Sequence, residues 1–371
     1  MQPPVRVLHY MWSANFGGIE KLVIDLSTAQ KKNPELTSAI LIGCKKGSFM
    51  QNLIDLNIPH SYAGIKSGFD WRPSVLSSIR KQIRNYDIIH IHTFNPLIYI
   101  ASILEKKKIV YTIHGNFNFG RKVTLSDRIT NFLRTWFLRN NTHLITFNSA
   151  FTEKIAVSKY HLQKCRKKII YNGIYLKESS EIVLPDDPEI TGRIKGKFIV
   201  GTTCRFNGFK RIDRLIRAFS AFASGKDDTV LVLVGDGVVR PELEKLVKDL
   251  NLTDKTIFTG FSQNVAGYQK LMDVCVFPSE NEPFGLVAVE TLSQGKPTIL
   301  FSDAGGMLEI LNGALDEDVV GSIDELTVKI ESLYQTRFQP DEKAIQIRKT
   351  IASRFNIKNM EQAFFNSYLE L

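Results

Sequence analysis

The 371-residue sequence predicts an α/β protein with two parallel-sheet domains of Rossmann-like design, on three observations. Short β-rich apolar runs alternate with segments of helical period along the chain, the pattern of strands joined by crossover helices. The length exceeds what a single hydrophobic core usually serves. A polar, acidic break carrying Pro185-Asp186-Asp187-Pro188 interrupts the series near its middle, after which the series starts again. Taken in order, residues 5–10 read as the first strand, and Ile19, Leu22, Val23 and Leu26 then recur at helical spacing. Residues 39–42, 88–92, 109–113, 144–147 and 169–171 read as further strands of a first domain, 1–177. Beyond the break, strands at 198–201, 230–234, 256–259, 274–277 and 298–301 build a second domain, 178–352. The tail, 353–371, reads as a final helix. Two such domains in tandem imply a cleft between the carboxyl ends of their strands, where open α/β sheets bind ligands.

Composition removes several classes of function. At 43% hydrophobic and 23% charged residues, the chain is neither disordered nor membrane-spanning by composition. Its longest apolar runs, such as residues 230–234, have strand length, far below a bilayer crossing. Cys44, Cys165, Cys204 and Cys275 lie far apart, without metal-ligand spacing. The first strand begins almost at the N-terminus with no signal-peptide pattern before it, so a cytoplasmic location is expected. The net charge of +10 is unevenly placed. Residues 1–184 hold 26 Lys and Arg against 11 Asp and Glu, and the remainder holds 22 against 27. The basic half therefore faces something anionic: a membrane surface, a phosphate-rich substrate or nucleic acid.

Four loops carry residues suited to chemistry. Asn15-Phe16-Gly17-Gly18-Ile19-Glu20 joins the first strand to the first helix. Paired glycines allow close backbone approach, and helix N–H groups favour phosphate or carboxylate. The loop also reads as a simple tight turn. It lacks the GxGxxG spacing of dinucleotide sites, which argues against a dehydrogenase. His114, beside Gly115 at a strand end, is placed as a hydrogen-bond donor or electrophile, although a lone histidine more often serves structure; His90 and His92 alternate along another strand and read as mainly structural. Arg205 and Lys210 share a glycine-containing loop, Arg205-Phe206-Asn207-Gly208-Phe209-Lys210, where a planar fork and a point charge can converge on a diphosphate, and which reads equally as a solvated basic turn. Arg211, Arg214 and Arg217 beyond it read as surface charge.

The fourth loop is Glu282-Pro283-Phe284-Gly285-Leu286, running on to Glu290. Pro283 marks a helix start. The amides of Phe284, Gly285 and Leu286 then offer donors at the helix N-terminus, and Glu282 and Glu290 offer acceptors for sugar or ribose hydroxyls. Asp303, Gly305-Gly306 and Glu309 follow at the next strand end. Asp316-Glu317-Asp318 reads as a solvated turn, not a metal site.

These residues together resemble the retaining GT-B-fold glycosyltransferases of family 4, also called glycosyl transferases group 1. The resemblance covers nearly the whole chain. It rests on Gly17-Gly18-Ile19-Glu20, His114-Gly115, Tyr171-Asn172-Gly173-Ile174, Arg205 with Lys210, Gly235-Asp236-Gly237, Glu282 with Glu290, and Gly305-Gly306 with Glu309. It implies that Arg205 and Lys210 hold a donor diphosphate and Glu290 the ribose. Glu282, with the amides of Phe284, Gly285 and Leu286, would hold the transferred sugar. His114 would lie by the anomeric centre and Gly17-Gly18 near the phosphate or acceptor. The second domain would bind the donor and the first the acceptor, with the tail helix crossing back to the first. Retention without metal or other cofactor is implied, and UDP is favoured over GDP. Cys204, where glycine commonly stands, and Met307-Leu308, in place of a proline-containing pair, depart from the family pattern. A nucleotide-sugar epimerase or phosphorylase on the same fold, or a non-catalytic nucleotide- or glycan-binding protein, are the alternatives.

The basic half also suggests the acceptor. Lys106-Lys107-Lys108, Arg121-Lys122, Arg128, Arg134, Arg139, Lys164 and Arg166-Lys167-Lys168 surround an amphipathic stretch with Val123, Leu125, Ile129, Phe132, Leu133, Trp136 and Phe137. Basic and aromatic residues on one helix suit an anionic membrane surface, and hence a lipid-linked glycan acceptor. A core-facing helix with solvated charges is the plainer reading. No nucleic-acid-binding module is present, so nucleic acid is not expected as a partner.

Overall fold

The computed structural model describes residues 3–15, 17–44, 47, 49–68, 70–115, 124–311, 313–339 and 341–371. Phe16 of the glycine loop and Arg121, Lys122 and Val123 of the basic stretch lie outside the described residues. The chain divides into two compact units: residues 1–175 with 356–371, and residues 176–355.

The first unit runs β1 (Val5–Met11), α1 (Gly18–Gln30), β2 (Leu36–Ile42), α2 (Met50–Asp55), β3 (His60–Tyr62), α3 (Pro73–Ile83), β4 (Ile88–Ile91), α4 (Pro96–Leu104), β5 (Lys108–Ile113), α5 (Leu125–Asn141), β6 (Leu144–Phe147), α6 (Ala150–Tyr160) and β7 (Lys167–Ile169). Its seven strands are parallel in the order β3-β2-β1-β4-β5-β6-β7. One face of the sheet, with Leu8, Tyr10, Ile89, Ile91, Tyr111 and Ile113, packs on Ile98, Tyr99, Phe137 and Leu138 of α4 and α5. Met11, Ile40 and Ile42 on the other face pack on Val23 and Ile24 of α1. Full burial of each such side chain contributes about 1.5–3 kcal/mol. The helices start where side chains satisfy their first amides. Asn95 accepts from Leu97 N–H (2.9 Å) ahead of Pro96, Ser149 accepts from Thr152 N–H, and Thr124 forms a capping box with Asp127. Each cap contributes ~1 kcal/mol.

The second unit runs α7 (Pro188–Ile194), β8 (Phe198–Thr203), α8 (Ile212–Phe222), β9 (Thr229–Val234), α9 (Arg240–Asp249), β10 (Thr256–Gly260), α10 (Val265–Leu271), β11 (Val274–Phe277), α11 (Leu286–Ser293), β12 (Thr298–Phe301), α12 (Leu308–Leu311), β13 (Val319–Val320), α13 (Ile323–Gln335) and α14 (Glu342–Ser353). Its parallel sheet is ordered β10-β9-β8-β11-β12-β13. The chain then returns to the first unit as α15 (Ile357–Leu369), where Ile357 N–H donates to Ile174 O at 2.8 Å.

The α/β class and paired parallel sheets hold as read from the sequence. Several local readings do not. The tail helix does not begin at 353: Ser353 closes α14, and α15 starts after Asn356, whose side chain accepts from Lys358 N–H. The last strand of the first sheet ends at Ile169 instead of starting there. Asp318 is not solvated. It is fully buried, held by Lys329 at 2.8 Å and Arg348 at 3.5 Å.

Candidate active site

Strand order reverses between β8 and β11 in the second unit, and between β1 and β4 in the first. At such a switch point the loops after the two strands turn opposite ways and open a crevice for ligand. The Arg205–Lys210 loop follows β8, and the Glu282 loop follows β11.

The two loops are bound together. Glu280 N–H donates to Phe209 O at 2.7 Å, and Lys210 Nζ lies 2.5 Å from Glu282 Oε2. Both side chains of that pair are largely buried, with 12% and 13% exposure. Burial alone would lower the Lys210 ammonium, but Glu282 and Cys204 beside it raise it above its usual value. Burial pushes the Cys204 thiol up to about 11, against the lowering effect of Lys210, so it stays a neutral thiol. Arg205 is exposed on the same loop. The site thus sets a charged amine, suited to phosphate, against a carboxylate, suited to hydroxyls.

The Glu282 loop is also zipped to the loop after β12. Asn281 N–H donates to Asp303 O (2.9 Å), Glu282 N–H to Ala304 O (3.2 Å), and Gly306 N–H to Glu282 O (2.8 Å). The helix starts later than Pro283 suggests. Gly285 adopts φ +87°, a left-handed conformation, and α11 begins only at Leu286, so the amides of Phe284 and Gly285 precede the helix. A Cβ on Gly285 would meet Met307 Cε at 2.1 Å. Phe284 is buried against Phe355, their ring centroids 5.5 Å apart. Glu290 stands one turn into α11, with Gln269 Nε2 at 3.5 Å; Gln269 is buried and also donates to Thr203 Oγ1. Close packing explains two more glycines. A Cβ on Gly235 would meet Cys204 O at 1.9 Å, and one on Gly237 would meet Phe206 O at 2.1 Å. Arg214 is not merely surface charge. It pairs with Asp303 through two 2.8 Å bonds, and its guanidinium lies 4.8 Å from the Phe301 ring centre.

In the first unit, Gly17 is the N-cap of α1 and Gly18 its first residue. Open space surrounds the position of a Gly18 Cβ, whereas one on Gly17 would meet the Glu20 carboxylate at 2.2 Å. His114 follows β5, and Asn148 Nδ2 donates to its carbonyl. His114 is one of four clustered histidines. His9, which the sequence reading overlooked, pairs in register with His90 across β1 and β4. His9 Nδ1 lies 3.0 Å from His92 Nε2, and His92 Nδ1 lies 3.1 Å from His114 Nε2. Burial lowers His9 and His114 to about 4, and lowers His90 and His92 well below their usual value. Ring nitrogens of His9, His90 and His92 come within 4.8 Å of one another, as metal ligands would. All six are already engaged: His9 by Gln30 and His92, His90 by Tyr368 and Thr112, His92 by His9 and His114. That fits a neutral imidazole cluster better than a metal site.

Residues 185–349 match the family described as glycosyl transferases group 1, and residues 16–178 match glycosyltransferase family 4. Both models describe glycosyltransferases, and together they span most of the chain. It is 30% identical over 238 residues to N-acetyl-alpha-D-glucosaminyl L-malate synthase of Bacillus anthracis, covering 62% of this chain. The chain spans 60% of that relative's length. It is 26% identical over 310 residues to the O-antigen biosynthesis glycosyltransferase WclY of Escherichia coli, covering 75% of this chain and 82% of WclY. Its fold is similar to that of Anabaena HepE, solved in complex with UDP, with a TM-score of 0.81 at 20% identity. That likeness covers 99% of this chain and all of the other. The GT-B fold is therefore established.

Proposed function

We propose that the protein transfers a sugar, with retention and without a metal, from a nucleoside diphosphate sugar to a glycan acceptor. The observation that carries this reading is the Lys210–Glu282 pair, largely buried, at the switch point of the second sheet. UDP is preferred to GDP as the donor nucleotide, in keeping with HepE having been solved with UDP.

In this reading Lys210 and Arg205 offset the charge that develops on the departing diphosphate. Glu282 releases Lys210 to the phosphates and accepts hydrogen bonds from sugar hydroxyls. Glu290 accepts from the ribose diol. The amides of Phe284 to Leu286 face the sugar or phosphate, and His114 and Gly17-Gly18 act from the first unit. The bond from the anomeric carbon to the diphosphate oxygen breaks, and the acceptor oxygen bonds on the same face. The acceptor proton passes to the departing phosphate. A saccharide-precursor acceptor is supported by the likeness to WclY, whose name places that enzyme in O-antigen biosynthesis.

The acceptor is lipid-linked, and α5 docks the first unit on anionic lipid. Phe137 and Leu138 of α5 are buried, while Leu125 (73% exposed), Ile129 (47%), Phe132 (69%) and Trp136 (47%) share an outward stripe at spacings of four, three and four. Arg128 and Arg139 belong to that helix. Arg134 is turned inward, donating to Tyr160 Oη at 2.9 Å. Among the described residues no helix is long and apolar enough to cross a membrane, so contact of this kind would be peripheral.

Thermal unfolding with UDP, GDP, ADP or NAD, each with and without EDTA, tests the donor site. A ligand at ~100 times its Kd adds about 2.7 kcal/mol of stability. Stabilisation by UDP that survives EDTA is the expected result. Response to NAD alone, or to no nucleotide, would overturn it. Turnover of a nucleotide sugar without any acceptor would favour the epimerase alternative.

A further inference from the structure

The buried imidazoles form an ordered chain that begins at a side-chain amide. Gln30, the last residue of α1, sets Oε1 2.8 Å from His9 Nε2. The chain continues from His9 Nδ1 to His92 Nε2 at 3.0 Å, and from His92 Nδ1 to His114 Nε2 at 3.1 Å. The rings lie in partial stacks, with centroids 5.3 Å apart in both pairs and interplanar angles of 30° and 24°. Gln30 and His9 are fully buried, and His92 is 4% exposed.

A neutral imidazole has one donor nitrogen and one acceptor nitrogen. Each contact in the chain therefore holds one proton, and the direction of one bond dictates the next. The Gln30 carbonyl oxygen can only accept, so His9 carries its proton on Nε2. His9 Nδ1 is then an acceptor, which requires His92 to be protonated on Nε2. The same step requires His114 to be protonated on Nε2. His114 Nδ1, for which no hydrogen bond is found among the described residues, is left with a lone pair. If the Gln30 amide were reversed, all three rings would switch and His114 Nδ1 would become a donor. The remaining polar groups around the cluster do not break the chain. His90 is tied to Thr112 Oγ1 (2.6 Å), which in turn meets Thr146 Oγ1, and to Tyr368 Oη (2.7 Å), a hydroxyl that also hydrogen-bonds the Gln30 side chain.

We infer that Gln30, His9 and His92 are positioning residues that lock His114 in the Nε2-protonated form, so that it presents Nδ1 as an acceptor for a substrate hydroxyl. This rests on the reading of His114 as a residue of the sugar-transfer site. The set-up converts an amide orientation on α1 into the hydrogen-bonding sense of a side chain three hydrogen bonds away.

The test is nitrogen NMR of imidazole-labelled protein, in which seven histidines contribute signals, alongside steady-state kinetics. In the unaltered protein, His9, His92 and His114 should all show Nε2–H and a bare Nδ1. A bare Nε2 on any of the three would overturn the inference. In Gln30→Met the amide anchor is lost, and the His114 signals should move towards Nδ1–H although its direct neighbours are unchanged. The expected kinetic effect is a kcat about 10-fold lower, the lower end of what outer hydrogen-bond partners contribute to an oriented histidine, with an unchanged KM for the donor. A His114 signature identical in Gln30→Met and the unaltered protein would overturn the inference. If Gln30→Met does not fold, the tautomers of the unaltered protein still decide. The NMR result does not need turnover. Absence of sugar transfer with the predicted tautomers present would therefore refute the transferase reading and leave the chain standing.

Discussion

Lys210 and Glu282 join two loops that start from neighbouring strands, with Nζ and Oε2 2.5 Å apart. Removing either partner leaves a largely buried charge without its counter-ion, while a bound diphosphate could take the place of Glu282 at the ammonium. Lys210→Ala should lower kcat at least ~100-fold, the scale seen when one preorganised transition-state contact is removed. Activity near the unaltered level in a transfer assay would refute the role given to Lys210.

Glu290→Ala should act differently. A carboxylate that accepts from the ribose binds ground and transition states alike, so the loss should appear mainly in nucleotide affinity. Titration calorimetry with UDP should show binding weaker by ~1–3 kcal/mol. An unaltered Kd would remove Glu290 from the nucleotide site.

Gly285→Ala tests the loop itself. Its φ of +87° disfavours any side chain, and a Cβ would collide with Met307. The variant should lose roughly 1–3 kcal/mol in denaturant unfolding, with weaker donor binding. Met307→Ala in the same chain should recover only the part due to the collision, because the backbone conformation stays unfavourable. Full recovery would show that the dihedral costs nothing.

The histidine cluster predicts a direction for stability against pH. His9 and His114 have folded values near 4 against 6.5 for the ordinary side chain, so the unfolded chain binds more protons between those values. Stability from keeping them neutral is fully present above about pH 6.5 and is lost as pH falls towards 4. Each such group contributes ~1.4 kcal/mol per pH unit within the window. Tm should fall on acidification from pH 6.5, and more gently in His9→Gln. A Tm that is flat over this range would contradict the neutral cluster.

For α5, the paired change Phe132→Ser and Trp136→Ser should abolish sedimentation with phosphatidylglycerol vesicles at moderate salt, while UDP still stabilises the protein. Equal sedimentation of variant and unaltered protein would rule out this stripe as the docking face.

The sequence showed strands best where they are covered on both faces. The stretch 230–234 is continuously apolar and its strand lies within a residue of that reading, whereas β3 and β13, with three and two residues at the sheet edges, have too little pattern to be seen. Local rules misplaced the start of α11. Proline is a common first helical residue, yet the positive φ of Gly285 delays the helix beyond Pro283. Asp318 read as solvated because its partners Lys329 and Arg348 come from helices later in the chain. The imidazole chain did leave a trace: His9, His90 with His92, and Thr112 with His114 stand at alternate positions along three adjacent strands or directly past their ends. Polar residues on one face of a doubly covered sheet are costly unless they satisfy one another. What no single segment could show was that the partner of each comes from another strand.

The return of α15 to the first unit has a consequence for biosynthesis. Tyr368 bonds to His90, and Asn33 donates to Glu361, so a segment made after the second unit completes a unit whose strands emerged first. The amino-terminal unit must wait, unfinished, until the whole of the second unit has been made. Domain-by-domain folding in order of synthesis is therefore closed to this chain. A chain truncated after residue 355, which keeps the whole second unit but lacks α15, should hold a protease-resistant second unit and a first unit that is still readily cut.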